Sequence, residues 1–246
     1  MLSGYEQAKV PSLRRVWRIL IVSPIVFFVV IVLFSVSFGV LTGGDAQAIA
    51  DRTQGSIPYI LIVVQVVLLL ILFRALKAEG LRLTDIGWQI PRSKRWLEVG
   101  IGICVGVALG LLYVLLLSPL LEFLQRNLGD YVPPGRLLDS LGSAVVPFFI
   151  ANVLLAPFVE ESIYRGYAFR RLREKYGDRA AVVLTCISFG LLHWAGGFWY
   201  IIMTALVAGG MFAALVLWRR NIAVAFAAHL ALNLLEFVFV WFSVSK

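Results

Sequence analysis

The fold class this sequence predicts is all-α, a polytopic transmembrane helix bundle of about seven spans. Three observations predict it. Of the 246 residues, 61% are hydrophobic and 15% charged, and the mean hydropathy is +0.90, well outside the composition of water-soluble domains. Uninterrupted apolar stretches recur along the whole chain, near the length of about 20 residues that a helix needs to cross a hydrocarbon core about 30 Å thick. The period-two alternation of a membrane barrel strand is absent. The longest polar segment, Arg74–Glu98, is too short for a second domain, so residues 1–246 read as one integral-membrane unit.

Taken in order, the apolar stretches place spans at Ile19–Leu41, Ile57–Phe73, Val99–Leu121, Leu141–Val159, Ala180–Leu192, Tyr200–Leu217 and Ile222–Val244, the fifth being short. The first exceeds the 7–15 residues of a signal-peptide core and reads as a retained helix, although Ala46-Gln47-Ala48 offers a small-residue cleavage pattern. Gly102, Gly106 and Gly110 recur every four residues in the third, the spacing of a close helix–helix approach. Pro157 should kink the fourth, since proline removes a backbone donor. Trp194, Trp199 and Tyr200 read as an interfacial aromatic belt. Cys104 and Cys186 lie inside apolar spans, where small buried hydrophobes are the expectation.

Basic residues set the orientation. They gather before the first span (Lys9, Arg14, Arg15, Arg18), after the second (Arg74, Lys77, Arg82, Arg92, Lys94, Arg95), after the fourth (Arg165, Arg170, Arg171, Arg173, Lys175, Arg179) and in the turn Arg219-Arg220-Asn221. The alternating connections are poor in lysine and arginine, so the N-terminus is expected to be cytoplasmic. This distribution explains the net charge of +8 through anionic headgroups, without nucleic acid.

The polar constellation carries the chemistry. Glu160 and Glu161 close the fourth apolar stretch, Arg165 follows one turn later, and both histidines of the chain, His193 and His229, lie in or beside apolar stretches. Ionisable groups at such positions line cavities and face one another. Glu161 and Arg165, at i and i+4, suit a helical ion pair. Glu160 points about 100° away on the same helix and needs a partner from another helix, for which a histidine is the expectation. His229, Asn233 and Glu236 share one stripe of the last span, which must face protein or water. A desolvated carboxylate with an imidazole is a competent general base, and an imidazole with an amide one turn away can stabilise an oxyanion. The same residue types also allow Glu160, His193 and His229 to bind zinc with a water in the fourth position.

These residues form three motifs. Glu160-Glu161-Ser162-Ile163-Tyr164-Arg165 resembles the EExxxR motif of the CPBP family, the Abi-type CAAX proteases and bacteriocin-processing enzymes that include lysostaphin resistance protein A-like members; Phe189–His193 resembles its FxxxH and His229–Asn233 its HxxxN. The resemblance covers roughly residues 141–240 as a catalytic core and leaves residues 1–140 without an assigned role. It implies an intramembrane endopeptidase acting on membrane-associated peptides or proteins, prenylated CAAX-type or bacteriocin-like, in a bacterial cytoplasmic membrane. Carried over by motif, Glu160 activates water, His193 helps hold it, His229 and Asn233 form the oxyanion site, and Glu161 and Arg165 support them. The family is commonly called metalloprotease, and a metal-free glutamate mechanism is also proposed for it; asparagine, a good oxyanion donor and a poor zinc ligand, favours the second. Two readings from other classes compete with catalysis: a membrane immunity or peptide-binding protein that does not cut, and a small transporter. A cavity reached from the cytoplasmic half is expected, because Glu160 falls at that end of its predicted span. Glu236 lies outside the motifs and has no assigned role.

Overall fold

The chain enters its first helix through a polar cap. In the computed structural model, which describes residues 10–89, 92–132 and 144–244, the Ser12 side chain accepts from the Arg15 N–H at 3.4 Å and opens helix α1, Leu13–Leu41. Asp45 accepts from the Ala48 N–H at 2.9 Å and caps a short helix, α2, Ala46–Gly55. Helix α3, Ile57–Glu79, ends at Gly80, whose φ of 63° permits the left-handed turn that closes the helix. Helix α4 runs Arg95–Leu128. Helices α5, residues 145–176, and α6, residues 178–192, meet at Gly177 (φ 84°, ψ 172°), followed by α7, Phe198–Arg219, and α8, Ala223–Val244.

The fold is all-α, as expected, with no strand among the described residues. Among the described residues five helical stretches are long and apolar enough to cross a membrane, 145–192 counting as one despite its break, and Ala223–Phe239 is a shorter apolar helix. The expected start of the fourth span at Leu141, and Lys9, lie outside the described residues. The basic positions 14–18, 74–77, 170–179 and 219–220 share one end of the bundle. Glu79 ties it together, accepting from the Ser12 N–H at 2.9 Å and the Tyr167 hydroxyl at 2.8 Å and pairing with Arg15 at 3.3 Å.

One expected boundary is wrong in a way that matters. The fourth span does not stop at Val159: helix continues through the glutamates to residue 176, and Arg165, expected in a cytoplasmic connection, is 2% exposed within the bundle. The arginines lower the hydropathy of this stretch, but Ile163, Tyr164, Tyr167, Phe169 and Leu172 bury it. At Gly177 the chain folds back, bringing Tyr164 edge-on to Phe189 with ring centroids 5.4 Å apart. Glu160 and His193 stand about equally far from Gly177 along these two arms. Glu160 and His193 therefore lie at a similar depth in the bundle.

The glycine stripe of α4 packs on α8. A Cβ on Gly106 would lie 2.2 Å from the Ala228 carbonyl oxygen, and one on Gly102 2.6 Å from that of Val224. With Ala228 and Ala231 turned to α4, His229 and Asn233 face the opposite side. The segment 81–89 lies along one face of α5. Trp88 Nε1 donates to Ser162 Oγ at 2.9 Å, Gly166 makes room for the Ile86 carbonyl, and Arg170 donates to the Asp85 carbonyl at 2.8 Å.

Candidate active site

Helix α5 supplies the glutamates from a stretch of altered winding. Pro157 has no N–H to give the preceding turn, and the helix widens to π-type turns over Phe149–Leu155 and again over Glu161–Ala168. Such turns re-aim side chains without ending the helix. The kink expected at Pro157 takes this distributed form.

Glu160, 3% exposed, accepts a hydrogen bond from Gln65 Nε2 of α3 at 2.8 Å; its second carboxylate oxygen has no partner among the described residues. The histidine expected as the direct partner of Glu160 is therefore replaced by an amide. Gln65 interrupts the run Val63-Val64-Gln65-Val66-Val67, and a lone amide in such a run was the available signal for it.

Glu161, fully buried, accepts from His229 Nδ1 at 3.0 Å and pairs with Arg165 at 3.3 Å, joining the motifs of α5 and α8. Arg165 also donates to the Gly209 carbonyl at 3.1 Å and lies over the Phe189 ring, 4.3 Å from its centroid. A buried guanidinium is tolerable only with such partners. A carboxylate only accepts, so Nδ1 of His229 carries the proton. His193 Nδ1 lies 2.8 Å from the Phe189 carbonyl oxygen, which fixes the same tautomer. The Nε2 atoms of both rings remain for other partners. Asn233 donates through Nδ2 to the Asn152 carbonyl at 2.7 Å and keeps a second N–H.

Glu160, His193, His229 and Asn233 line one cavity of about 90 Å³, together with Glu236, Asn152 and Tyr200. That is room for a few waters. A neighbouring cavity of about 160 Å³ shares Glu160, His193, Tyr200 and Glu236 and reaches Gln54 and Gly196; a third, about 560 Å³, shares Tyr200 and Glu236 and is lined by α2. These cavities extend toward the α2 end, opposite the basic end. The fold-back at Gly177 puts packed helix between Glu160 and the basic end.

Tyr200 was expected in an interfacial belt. Its ring centroid instead lies 5.9 Å from that of His193. Trp194 packs on Phe27 and Phe28 at 6.0 and 5.8 Å. Glu236 interacts with Tyr113, which also meets Tyr200, so this extra acid belongs to the cavity wall.

The zinc alternative can be tested on the donor set. Among the described residues no group of three or more His, Cys, Asp or Glu side chains is arranged to hold a metal ion. Glu160, His193 and His229 line one cavity, yet they are not gathered as three ligands of one centre.

Outside this geometry, residues 142–235 match the family model described as Type II CAAX prenyl endopeptidase Rce1-like. No curated protein and no solved structure gave a significant match. The matched residues contain all three motifs and, Glu236 excepted, every side chain named above from α5, α6 and α8. With its apolar helices the chain is an integral membrane protein, and its residues 142–235 are similar to the Rce1-like family, in keeping with the CPBP resemblance of the three motifs.

Proposed function

We propose that the protein is an intramembrane endopeptidase that hydrolyses a peptide bond of a membrane-associated substrate, with Glu160 as general base. The observation that carries this reading is the convergence of Glu160, His193, His229 and Asn233 on one cavity, from helices far apart in sequence. A water held between the free oxygen of Glu160 and Nε2 of His193 loses a proton to Glu160 as its oxygen attacks the peptide carbonyl carbon. Charge then develops on the carbonyl oxygen. The spare N–H of Asn233 donates to it, and His229, its Nδ1 held by Glu161, donates from Nε2 when that nitrogen also carries a proton. The proton on Glu160 passes to the leaving nitrogen as the carbon–nitrogen bond breaks.

Gln65, Glu161 and Arg165 position these groups. A reaction without metal is supported by the amide chemistry of Asn233, a good oxyanion donor and a poor zinc ligand. The substrate enters from the cavities at the α2 end, whose walls are mostly apolar and suit a lipid-modified or membrane-embedded segment. Prenylated CAAX-type peptides are the first substrate class to try. The expected orientation, with the basic end cytoplasmic, places this entry on the outer side.

The test uses Glu160→Gln, which keeps shape and removes the base. Purified protein is incubated with a farnesylated CAAX peptide and with unmodified apolar peptides, and products are read by mass spectrometry. Cleavage by the wild type and near-complete loss in the variant are expected. Cleavage unaffected by the substitution would exclude Glu160 as base, and binding of a peptide by both proteins without cleavage would favour a peptide-binding or immunity role.

A further inference from the structure

A larger cavity lies away from the catalytic candidates. It is a groove of about 1270 Å³ at the basic end, bounded by the segment 84–89, the start of α4, the turn after α7 and the start of α8. Arg165 forms part of its wall, but Glu160, His193, His229 and Asn233 do not line it.

Its charge is one-sided. Arg95, Arg170, Arg173 and Arg220 line it, against one carboxylate, Asp85, which already accepts from the Arg82 N–H at 2.7 Å. Arg170 pairs with Glu174 at 3.7 Å and Arg173 with Asp178 at 2.5 Å. The adjacent Arg219 is held by Glu98 at 3.0 and 2.6 Å. Among the described residues no carboxylate pairs with Arg95 or Arg220, and both are exposed. Arg220 takes a φ of 59°, rare for a side-chain-bearing residue, where the chain turns between α7 and α8.

Beneath these cations the groove becomes apolar. Val99 and Ile103 continue from Arg95 along one face of α4, and Phe226 and Leu230 continue along α8, which runs parallel to α4 across the glycine stripe. Trp96 and Trp218, 82% and 63% exposed, stand beside the arginines at the level that interfacial tryptophans favour. Two unpaired cations at interface height, above an apolar cleft running into the bilayer, match a phosphate headgroup above its acyl chains.

We propose that this groove is a binding site for an anionic phospholipid, its phosphate held by Arg95 and Arg220 and an acyl chain lying along Val99, Ile103, Phe226 and Leu230. The site is separate from the cavity that holds Glu160. It is linked to that cavity through Arg165, which lines the groove and pairs with Glu161.

The test uses the full-length chain in neutral detergent, titrated with dioleoyl phosphatidylglycerol or dioleoyl phosphatidylcholine and read by native mass spectrometry and by thermal unfolding. Retention of phosphatidylglycerol over phosphatidylcholine is expected, with a matching rise in unfolding temperature. Arg95→Gln/Arg220→Gln should weaken the phosphatidylglycerol effect by about tenfold or more, and Arg95→Lys/Arg220→Lys should restore most of it. Lys175→Gln/Arg179→Gln, which removes two exposed charges from the same end outside the groove, should leave it unchanged. An equal loss in that control would reduce the effect to general surface charge and overturn the site. Equal retention of phosphatidylcholine would overturn the headgroup assignment, and equal binding of glycerol 1-phosphate, which has no acyl chain, would overturn the lipid. Each glutamine variant is checked for wild-type helicity by circular dichroism; if it is unfolded, the lysine pair and competition between the two lipids on the wild type decide.

Discussion

Gly106→Ala is the sharpest test of how α4 and α8 set the site. A Cβ at Gly106 would stand 2.2 Å from the Ala228 carbonyl oxygen and 2.8 Å from the Ala231 Cβ, where ordinary contact begins at 3.4 Å. The obstacle is backbone, so no side chain can swing away, and the helices must part by about 1 Å or tilt. Overpacking of this kind costs about 1–3 kcal/mol. At about 2–4 °C per kcal/mol for a chain of this size, the unfolding temperature should fall by several degrees. His229 adjoins Ala228, and a misplacement of about 1 Å at a reacting centre can cost about 10² in rate. Thermal unfolding in detergent and peptide cleavage are therefore measured over a graded series. Gly106→Ala should be most harmful, Gly102→Ala next at 2.6 Å, and Gly110→Ala mild, since it meets the Leu235 side chain at 3.2 Å. Gly100→Ala, with nothing within 4 Å, should be neutral or slightly stabilising. A Gly106→Ala variant as stable and active as Gly100→Ala would refute the packing argument.

Other outcomes follow from the same contacts. Gln65→Leu strips Glu160 of its only described donor, which should cost about 1.5–3 kcal/mol and shift the pH–rate profile of cleavage; an unchanged profile would remove Gln65 from the site. Glu161→Gln and Arg165→Met should each destabilise by about 3–5 kcal/mol in thermal unfolding, and the double variant by less than their sum, because each single change leaves a buried charge unpaired. Asn233→Ala should lower turnover by about 10²–10³ at little cost in substrate affinity, and wild-type turnover would end its oxyanion role. Asp130, in the connection after α4, is raised in pKa by burial but lowered more by N–H donors from Phe198, Tyr131 and Trp199, so its folded value lies below the ordinary one. Its stabilising contribution is complete above about pH 4 and is lost as pH falls through the depressed value. An unfolding titration should show this acid step in the wild type and not in Asp130→Asn.

Composition and apolar run length were enough to determine an all-α membrane bundle, because the bilayer leaves a chain few ways to satisfy its backbone. The three motifs named Glu160, Glu161, Arg165, His193, His229 and Asn233, since ionisable groups stand out against apolar helices. The i,i+4 spacing of Glu161 and Arg165 was legible for the same reason that it forms: the contact lies within one helix. Gln65, Tyr200 and Asn152 were not read as site residues, because their roles depend on helices distant in sequence, and hydropathy carries no information on which helix faces which. The extension of α5 past its glutamates was also hidden, since arginines that lower hydropathy can still be buried when partners from other helices satisfy them. The fold-back at Gly177 then placed Glu160 level with His193, beside cavities that extend toward α2. Residue types were set by local chemistry that the sequence displays, whereas their convergence was set by packing between helices, which only the tertiary structure decides.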